Sequence, residues 1–214
     1  MLKIYDYFRS SCAYRLRIAL NLKGITQIER EFVNLRIGEQ HDLNYHAVTP
    51  LGTVPTLIHD GVVIPESMAA IEYLDEVFPE PPLLPSDPAG RARVRSIAQA
   101  IACDIHPINN LRVLNYLKNE MAVTEEQKEA WYHHWVTVGF QSLEKMLASS
   151  PDSTFCHGDT VTLADICLIP QVFNAMRYDV DISPFPKISR IHARCEEIPA
   201  FAAAHPSKQP DAVK

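Results

Sequence analysis

Between Phe78 and Pro88 the chain carries Pro79, Pro81, Pro82, Pro85 and Pro88. Each proline lacks a backbone N–H and fixes φ, and the residue before it is pushed away from helical geometry, so neither a helix nor a central strand can run through this stretch. The remaining sequence falls into two parts, each long enough to bury a core of its own. The expected division is a first domain at 1–80, a linker at 81–86 and a second domain at 87–214.

The two parts are patterned differently. In the first, a β-prone run at Lys3–Phe8 is followed by the polar caps Ser10-Ser11 and a helix from about Cys12 to Lys23, with Leu16, Ala19 and Leu20 as its apolar stripe and Gly24 as its stop. A second strand at Ile28–Val33 precedes a polar helical stretch at Gln40–Ala47. After the turn residues Thr49-Pro50-Leu51-Gly52, a strand begins at Thr56; Asp60-Gly61 signals a hairpin, Val62–Ile64 returns, and a helix runs over Ser67–Val77. The order β-α-β-α-β-β-α implies a small mixed sheet flanked by helices, an α/β domain. Beyond the prolines the pattern is all-α. Asp87 and Pro88 open a helix expected to run to about Lys118 with a kink at Pro107. Thr124–Gln127 is a capping box for a helix to about Ser149, and Thr162–Asp165 repeats it ahead of Ile166–Val172. Shorter helices are expected at Phe185–Cys195 and Ile198–Ala204, and the tail from His205 to Lys214 is expected to be loosely ordered.

A formal net charge of −6 argues against nucleic acid as the main partner, since phosphate binding needs a basic excess. Met1–Asp6 has no charged-then-apolar signal pattern, and no apolar run reaches the length of a membrane span. The five cysteines (Cys12, Cys103, Cys156, Cys167 and Cys195) are scattered and odd in number, which argues against a disulfide framework and for a reducing, cytoplasmic setting. His133-His134, Cys156-His157 and His192 with Cys195 lack zinc spacing, so no metal site is expected.

The chemistry concentrates where the first strand hands over to the first helix, in Tyr7-Phe8-Arg9-Ser10-Ser11-Cys12-Ala13-Tyr14-Arg15. A helix N-terminus presents unpaired N–H groups and a partial positive charge, so it stabilises an anion, a thiolate included. Ser10 and Ser11 add hydroxyl donors, and Arg9 and Arg15 add charge. Serine in this position also serves as a plain cap and cysteine as a small packing residue, and the residues alone leave both readings open. Val54-Pro55 lies where a cis bond would turn the Val54 backbone outward as a hydrogen-bonding edge. Glu66-Ser67 gives a second helix start that is either anion-friendly or a routine cap.

The segment from Tyr7 to Leu20 resembles the SSCxxRxRIAL signature of zeta-class glutathione transferases, the maleylacetoacetate isomerases. The similarity extends through Val54-Pro55-Thr56-Leu57, Glu66-Ser67, Asp104–Asn110, Leu163-Ala164-Asp165, Val180–Pro186 and His205–Asp211. It implies a thioredoxin-like N-terminal domain followed by an all-helical domain, glutathione as cofactor, and a homodimer. It puts the catalytic serine at Ser10 with Ser11 and Cys12 beside it, glutathione contacts at Gln40, Val54, Glu66, Ser67, His106, Asn110 and Arg112, and the acidic substrate on Arg9 and Arg177. Glu66 and His106 stand where Gln is found in other members; both keep hydrogen-bonding capacity. The implied reaction is cis–trans isomerisation of a maleyl-type diacid, maleylacetoacetate to fumarylacetoacetate in aromatic amino-acid catabolism. Maleylpyruvate is the competing substrate, and a glutathione-dependent thiol transferase using Cys12 is the competing chemistry. Arg15 and Arg112 are further candidates for carboxylate binding. Arg15 and Arg17 lie about 200° apart on a helix and cannot both face one pocket.

Overall fold

The structure of the chain, a computed structural model, describes residues 1–149 and 153–212. It divides into two compact units, Met1–Pro82 with Glu197–Lys214 and Leu83–Glu196. The first unit opens with β1 (Leu2–Asp6), α1 (Ser11–Leu22), β2 (Ile28–Phe32), a 3-10 turn at Glu39–His41, α2 (Leu43–Val48), β3 (Thr56–His59), β4 (Val62–Pro65) and α3 (Ser67–Val77). The expected β-α-β-α-β-β-α order is therefore present. The sheet order is β2-β1-β3-β4, with β1 and β2 parallel and the other pairs antiparallel. Two parallel neighbours need a crossover, and α1 supplies it. Its Leu16, Ile18, Ala19 and Leu20 are buried, so α1 is anchored as a core helix. This topology sets Ser10 just beyond the end of β1, at the first turn of α1. Asp60 and Gly61 both adopt positive φ (49° and 85°), the backbone that a two-residue hairpin demands. The Val54–Pro55 and Glu80–Pro81 bonds are cis.

The described residues of the second unit form helices and no strands: α4 (Pro88–Gln99), a π-helical turn (Ala100–Ile105), α5 (His106–Ile108), α6 (Leu111–Asn119), α7 (Glu125–Ala148), α8 (Leu163–Arg177) and α9 (Pro186–Glu196). The single helix expected from Asp87 to Lys118 is interrupted. Pro107 has no N–H to give the helical ladder. Asn109 then leaves helical geometry, and the Asn110 side chain accepts the Arg112 N–H at 3.2 Å to cap α6. The expected cap at Thr162 is present and reinforced by burial. The Asp165 carboxylate accepts the Thr162 N–H and hydroxyl at 2.8 and 2.9 Å and the Cys156 N–H at 2.8 Å, tying the preceding loop to α8.

From Glu197 the chain belongs to the first unit, where α10 (Pro199–Ala204) packs on α1. As far as Ala212 the tail expected to be loose is held: Pro206–Lys208 forms a 3-10 turn and Gln209 is buried; Val213 and Lys214 lie outside the described residues.

Gly139 allows α7 to close on the π-helical turn, because a Cβ there would lie 2.4 Å from Cγ1 of Ile105. Gly139→Ala is expected to overpack this contact and lower stability by about 1–3 kcal/mol. Denaturant unfolding of the two proteins measures the difference, and an equal or higher midpoint for the variant counts against the packing.

Candidate functional site

Ser10 has extended backbone (φ −68°, ψ 122°) and caps α1, its Oγ accepting the Ala13 N–H at 3.2 Å. The same hydroxyl donates to the Val54 carbonyl at 3.4 Å, and the Ser10 N–H closes the turn onto the Tyr7 carbonyl at 3.0 Å. Ser11 is buried at the first helical position and Cys12 is partly exposed one residue on. No acidic side chain lies in the first turn of α1, so nothing within it offsets the positive end of the helix.

Two guanidinium groups lie buried inside the unit on the same helix. Arg15 is only 1% exposed; its Nη1 lies 3.8 Å from Cys12 Sγ, while its Nε and Nη2 have no hydrogen-bond partner among the described residues. Arg17 is fully buried and pairs with Asp6 at 2.6 Å. Its remaining donors reach the carbonyls of Phe8 (2.9 Å), Ala204 (3.1 Å) and Tyr7 (3.4 Å). Burial lowers the Arg17 pKa, with Asp6 opposing. Sequence reading passed over Asp6, whose position in a strand gives no local sign of its partner.

The other expected contacts of the first unit sit around the same end of the sheet. Thr56 pairs with Pro65, which sets the turn containing Val54-Pro55 beside the β4–α3 junction. Tyr45 secures the turn: its hydroxyl donates to the Thr53 carbonyl at 2.6 Å, and burial pushes its pKa up to about 12. Glu66 is exposed with φ 69° and ψ 123°, an unusual backbone for a non-glycine residue, and Ser67 is buried at the start of α3. Strained residues of this kind cluster at ligand clamps. Gln40 lies in the 3-10 turn, its Oε1 buried with no hydrogen-bond partner among the described residues. Its backbone oxygen approaches so closely that a Cβ on Gly52 would meet it at 2.9 Å.

In the second unit, Nδ2 of Asn110 lies 3.1 Å from Nε2 of His106, and Arg112 is exposed in the first turn of α6. Arg177 is exposed at the end of α8. Its Nη2 donates to Asn174 Oδ1 at 2.8 Å, and its guanidinium carbon sits 4.5 Å from the centroid of the Tyr178 ring, itself stacked on Tyr132. Asn174 Oδ1 thus takes the Nε–Nη2 edge of the exposed Arg177 guanidinium, and the Tyr178 ring lies near it. Arg9, in the first unit, is half-buried with its guanidinium carbon 5.1 Å from the Phe8 ring centroid. Among the described residues no group of three or more His, Cys, Asp or Glu forms a metal site, and no helix is long and apolar enough to cross a membrane.

A four-stranded mixed sheet with a serine-capped helix and a cis-proline turn, followed by an all-helical unit, defines a thioredoxin-like fold with an appended helical domain. Residues 9–77 match the family model for the glutathione S-transferase N-terminal domain, and residues 108–204 match that for the C-terminal domain. The chain belongs to the glutathione S-transferase family, in its zeta class. It is 46% identical over 210 residues to a probable maleylacetoacetate isomerase of Vibrio cholerae, covering 98% of this chain and 97% of that one. A solved holo structure of maleylpyruvate isomerase, a bacterial zeta-class glutathione S-transferase, is 43% identical with a TM-score of 0.96, covering 99% of this chain and 100% of the other. A maleylacetoacetate isomerase from Anaeromyxobacter dehalogenans, solved with dicarboxyethyl glutathione and citrate in its active site, is 37% identical with a TM-score of 0.88 over 100% of this chain and 98% of its own.

The thiols differ sharply in setting. Cys12 is partly exposed and Cys103 exposed, whereas Cys156, Cys167 and Cys195 are buried, and burial pushes Cys156 and Cys195 far up in pKa. In the native protein a thiol reagent is expected to modify Cys12 and Cys103 and to spare the other three until denaturant is added. Peptide mapping after brief labelling checks this, and early labelling of Cys156 would contradict the packing.

Proposed function

We propose that the chain is a glutathione-dependent cis–trans isomerase of maleyl-type diacids, with maleylacetoacetate converted to fumarylacetoacetate as its main reaction. The observation that carries the reading is Ser10, whose hydroxyl caps a core helix and reaches the Val54 carbonyl at 3.4 Å, at a helix end with no acidic residue in its first turn.

The residues present fit glutathione. The N–H groups at the start of α1 and the Ser10 hydroxyl suit a thiolate. The Val54 backbone edge suits the cysteinyl peptide group. The exposed Glu66 carboxylate suits the tripeptide's ammonium, and Ser67 with the start of α3 suits its α-carboxylate. Gln40, with a buried oxygen lacking a hydrogen-bond partner among the described residues, provides a further polar contact. His106, Asn110 and Arg112 are assigned to the same ligand on the strength of the family resemblance.

Bound glutathione supplies the nucleophilic sulfur that adds reversibly to the conjugated carbon, makes the double bond single long enough to rotate, and leaves unchanged. The protein keeps that sulfur ionised through Ser10 and the helix terminus, with the buried Arg15 adding positive charge beneath. Arg9 and Arg177 take the carboxylates of the acid, since a planar guanidinium meets a carboxylate through two parallel hydrogen bonds. Asn174 and Tyr178 orient the Arg177 guanidinium. Five scattered cysteines, odd in number, are in keeping with a cytoplasmic enzyme. A homodimer acting in aromatic amino-acid catabolism completes the reading, on the family resemblance.

Purified enzyme stripped of bound thiol is expected to isomerise maleylacetoacetate faster than maleylpyruvate, and only when glutathione is added. Ser10→Ala is expected to lower kcat by about 10²–10³, in line with removal of one preorganised donor, while Cys12→Ala keeps most of the activity. Arg177→Ala is expected to lower kcat/KM for the diacid about tenfold or more. Turnover without glutathione defeats the proposal. Loss of isomerisation in Cys12→Ala alone transfers the chemistry to Cys12, and a preference for maleylpyruvate changes the substrate but keeps the mechanism.

A further inference from the structure

The turn that aims Ser10 is clamped from the far end of the chain. Three anchors fasten the last described residues to the first unit. The Ala204 carbonyl accepts from Arg17 Nε at 3.1 Å; Gln209 accepts from Arg30 of β2 at 2.9 Å while donating to the Ala203 and His205 carbonyls; and Asp211 Oδ2 accepts the Phe8 N–H at 2.8 Å. Ala212 packs against the cluster formed by Tyr5, Tyr7, Phe8, Val33, Tyr45 and Val54.

The position of the third anchor matters most. The Phe8 peptide groups are held on both sides: its N–H by Asp211 from the tail and its carbonyl by Arg17 from α1. Phe8 immediately precedes Arg9 and Ser10, and the Ser10 N–H returns to the Tyr7 carbonyl within the same turn. A shift of the Phe8 backbone therefore moves the Ser10 hydroxyl relative to the Val54 carbonyl. Tyr7, Phe8 and Asp211 also line a cavity of about 550 Å³ with Phe32, Asn34, Arg36, Ile37 and Glu39, so the contact sits beside open space. Tyr7 and Phe8 pack into the cluster on one side, and on the side that faces this open space the Asp211 hydrogen bond is the added restraint on the turn. Burial pushes the Asp211 carboxyl up from its ordinary value, with nearby Asp6 adding to the effect, while the Phe8 N–H and Arg17 oppose it. The tail thus keeps a carboxyl where its charged form is disfavoured, a placement that a solvated terminus has no reason to adopt.

We infer that Asp211 is a positioning residue: through the Phe8 N–H, the C-terminal strap sets the Tyr7–Ser10 turn and so the aim of the Ser10 hydroxyl. The inference rests on the isomerase reading for its catalytic consequence, but its mechanical part stands without it.

Asp211→Ala removes the acceptor; Asp211→Asn keeps an oxygen in the same place. Asp211→Ala is expected to lower kcat about tenfold, as misplacement of a catalytic group does, with KM for glutathione and for the acid changed less than about threefold. Asp211→Asn is expected to recover kcat to within about threefold of the parent. Hydrogen exchange of the Phe8–Ser10 segment, followed by mass spectrometry, is expected to accelerate in Asp211→Ala and to remain slow in Asp211→Asn. Should Asp211→Ala fail to fold, a chain ending at Gln209 keeps the first two anchors and carries the same expectation. Unchanged kcat and unchanged exchange in the folded alanine variant, or an equal loss of kcat in the alanine and asparagine variants, overturns the assignment. If the parent shows no glutathione-dependent turnover, the functional reading fails and the exchange comparison still decides whether the strap holds the turn.

Discussion

The first unit is organised around a buried cation. Arg17 lies on α1 with no exposed surface, and its pairing with Asp6 at the end of β1 locks the crossover helix to the central strand that feeds it. Removing one member of such a pair strands the other in a low-dielectric interior, at a cost of about 3–5 kcal/mol. The guanidinium spreads its remaining donors over the carbonyls of Tyr7, Phe8 and Ala204, so one side chain joins strand, turn, helix and α10. Its planar fork with five N–H donors makes this possible, and a lysine ammonium cannot reproduce it.

The functional features follow from that lock. Once β1 and α1 are fixed, the short turn between them has little freedom, and the Ser10 hydroxyl is set at the start of α1. The sheet then delivers its second contribution: β3 antiparallel to β1 and β4 antiparallel to β3 bring the Val54-Pro55 turn and the Glu66-Ser67 junction to that same end. Glu66 holds an uncommon positive φ there, and Arg15 sits buried below Cys12. A serine hydroxyl, a helix terminus and an internal guanidinium act in the same direction, each favouring negative charge on a sulfur at the start of α1.

Much of the fold was legible because its signals are local. The Asp60-Gly61 hairpin and the caps at Thr124 and Thr162 all act over a few residues, and each appears where it was read. The failures share the opposite character. The break at Asn109-Asn110 pits a side-chain cap against helix continuation after Pro107, and apolar periodicity does not register that competition. Arg17 read as one more basic residue on a helix because its carboxylate partner belongs to a strand. The tail read as loose because its partners Phe8, Arg17 and Arg30 lie at the other end of the chain. At the site, the placement of Ser10 at a helix start could be read from the residues. The assignments of Gln40, Glu66, Arg112 and Arg177 came through the family resemblance, since nothing in the local pattern of an isolated Gln, Glu or Arg distinguishes a ligand from a solvated side chain.

The central claim is that the start of α1 and the Ser10 hydroxyl hold a borrowed sulfur as its thiolate. The most direct measurement is the pH titration of the ultraviolet absorbance of thiolate for glutathione bound to the enzyme, compared with free glutathione. The bound thiol is expected to ionise about one pH unit or more below the free one, as thiols at helix N-termini beside basic residues do. A bound thiol that titrates with the free one contradicts it.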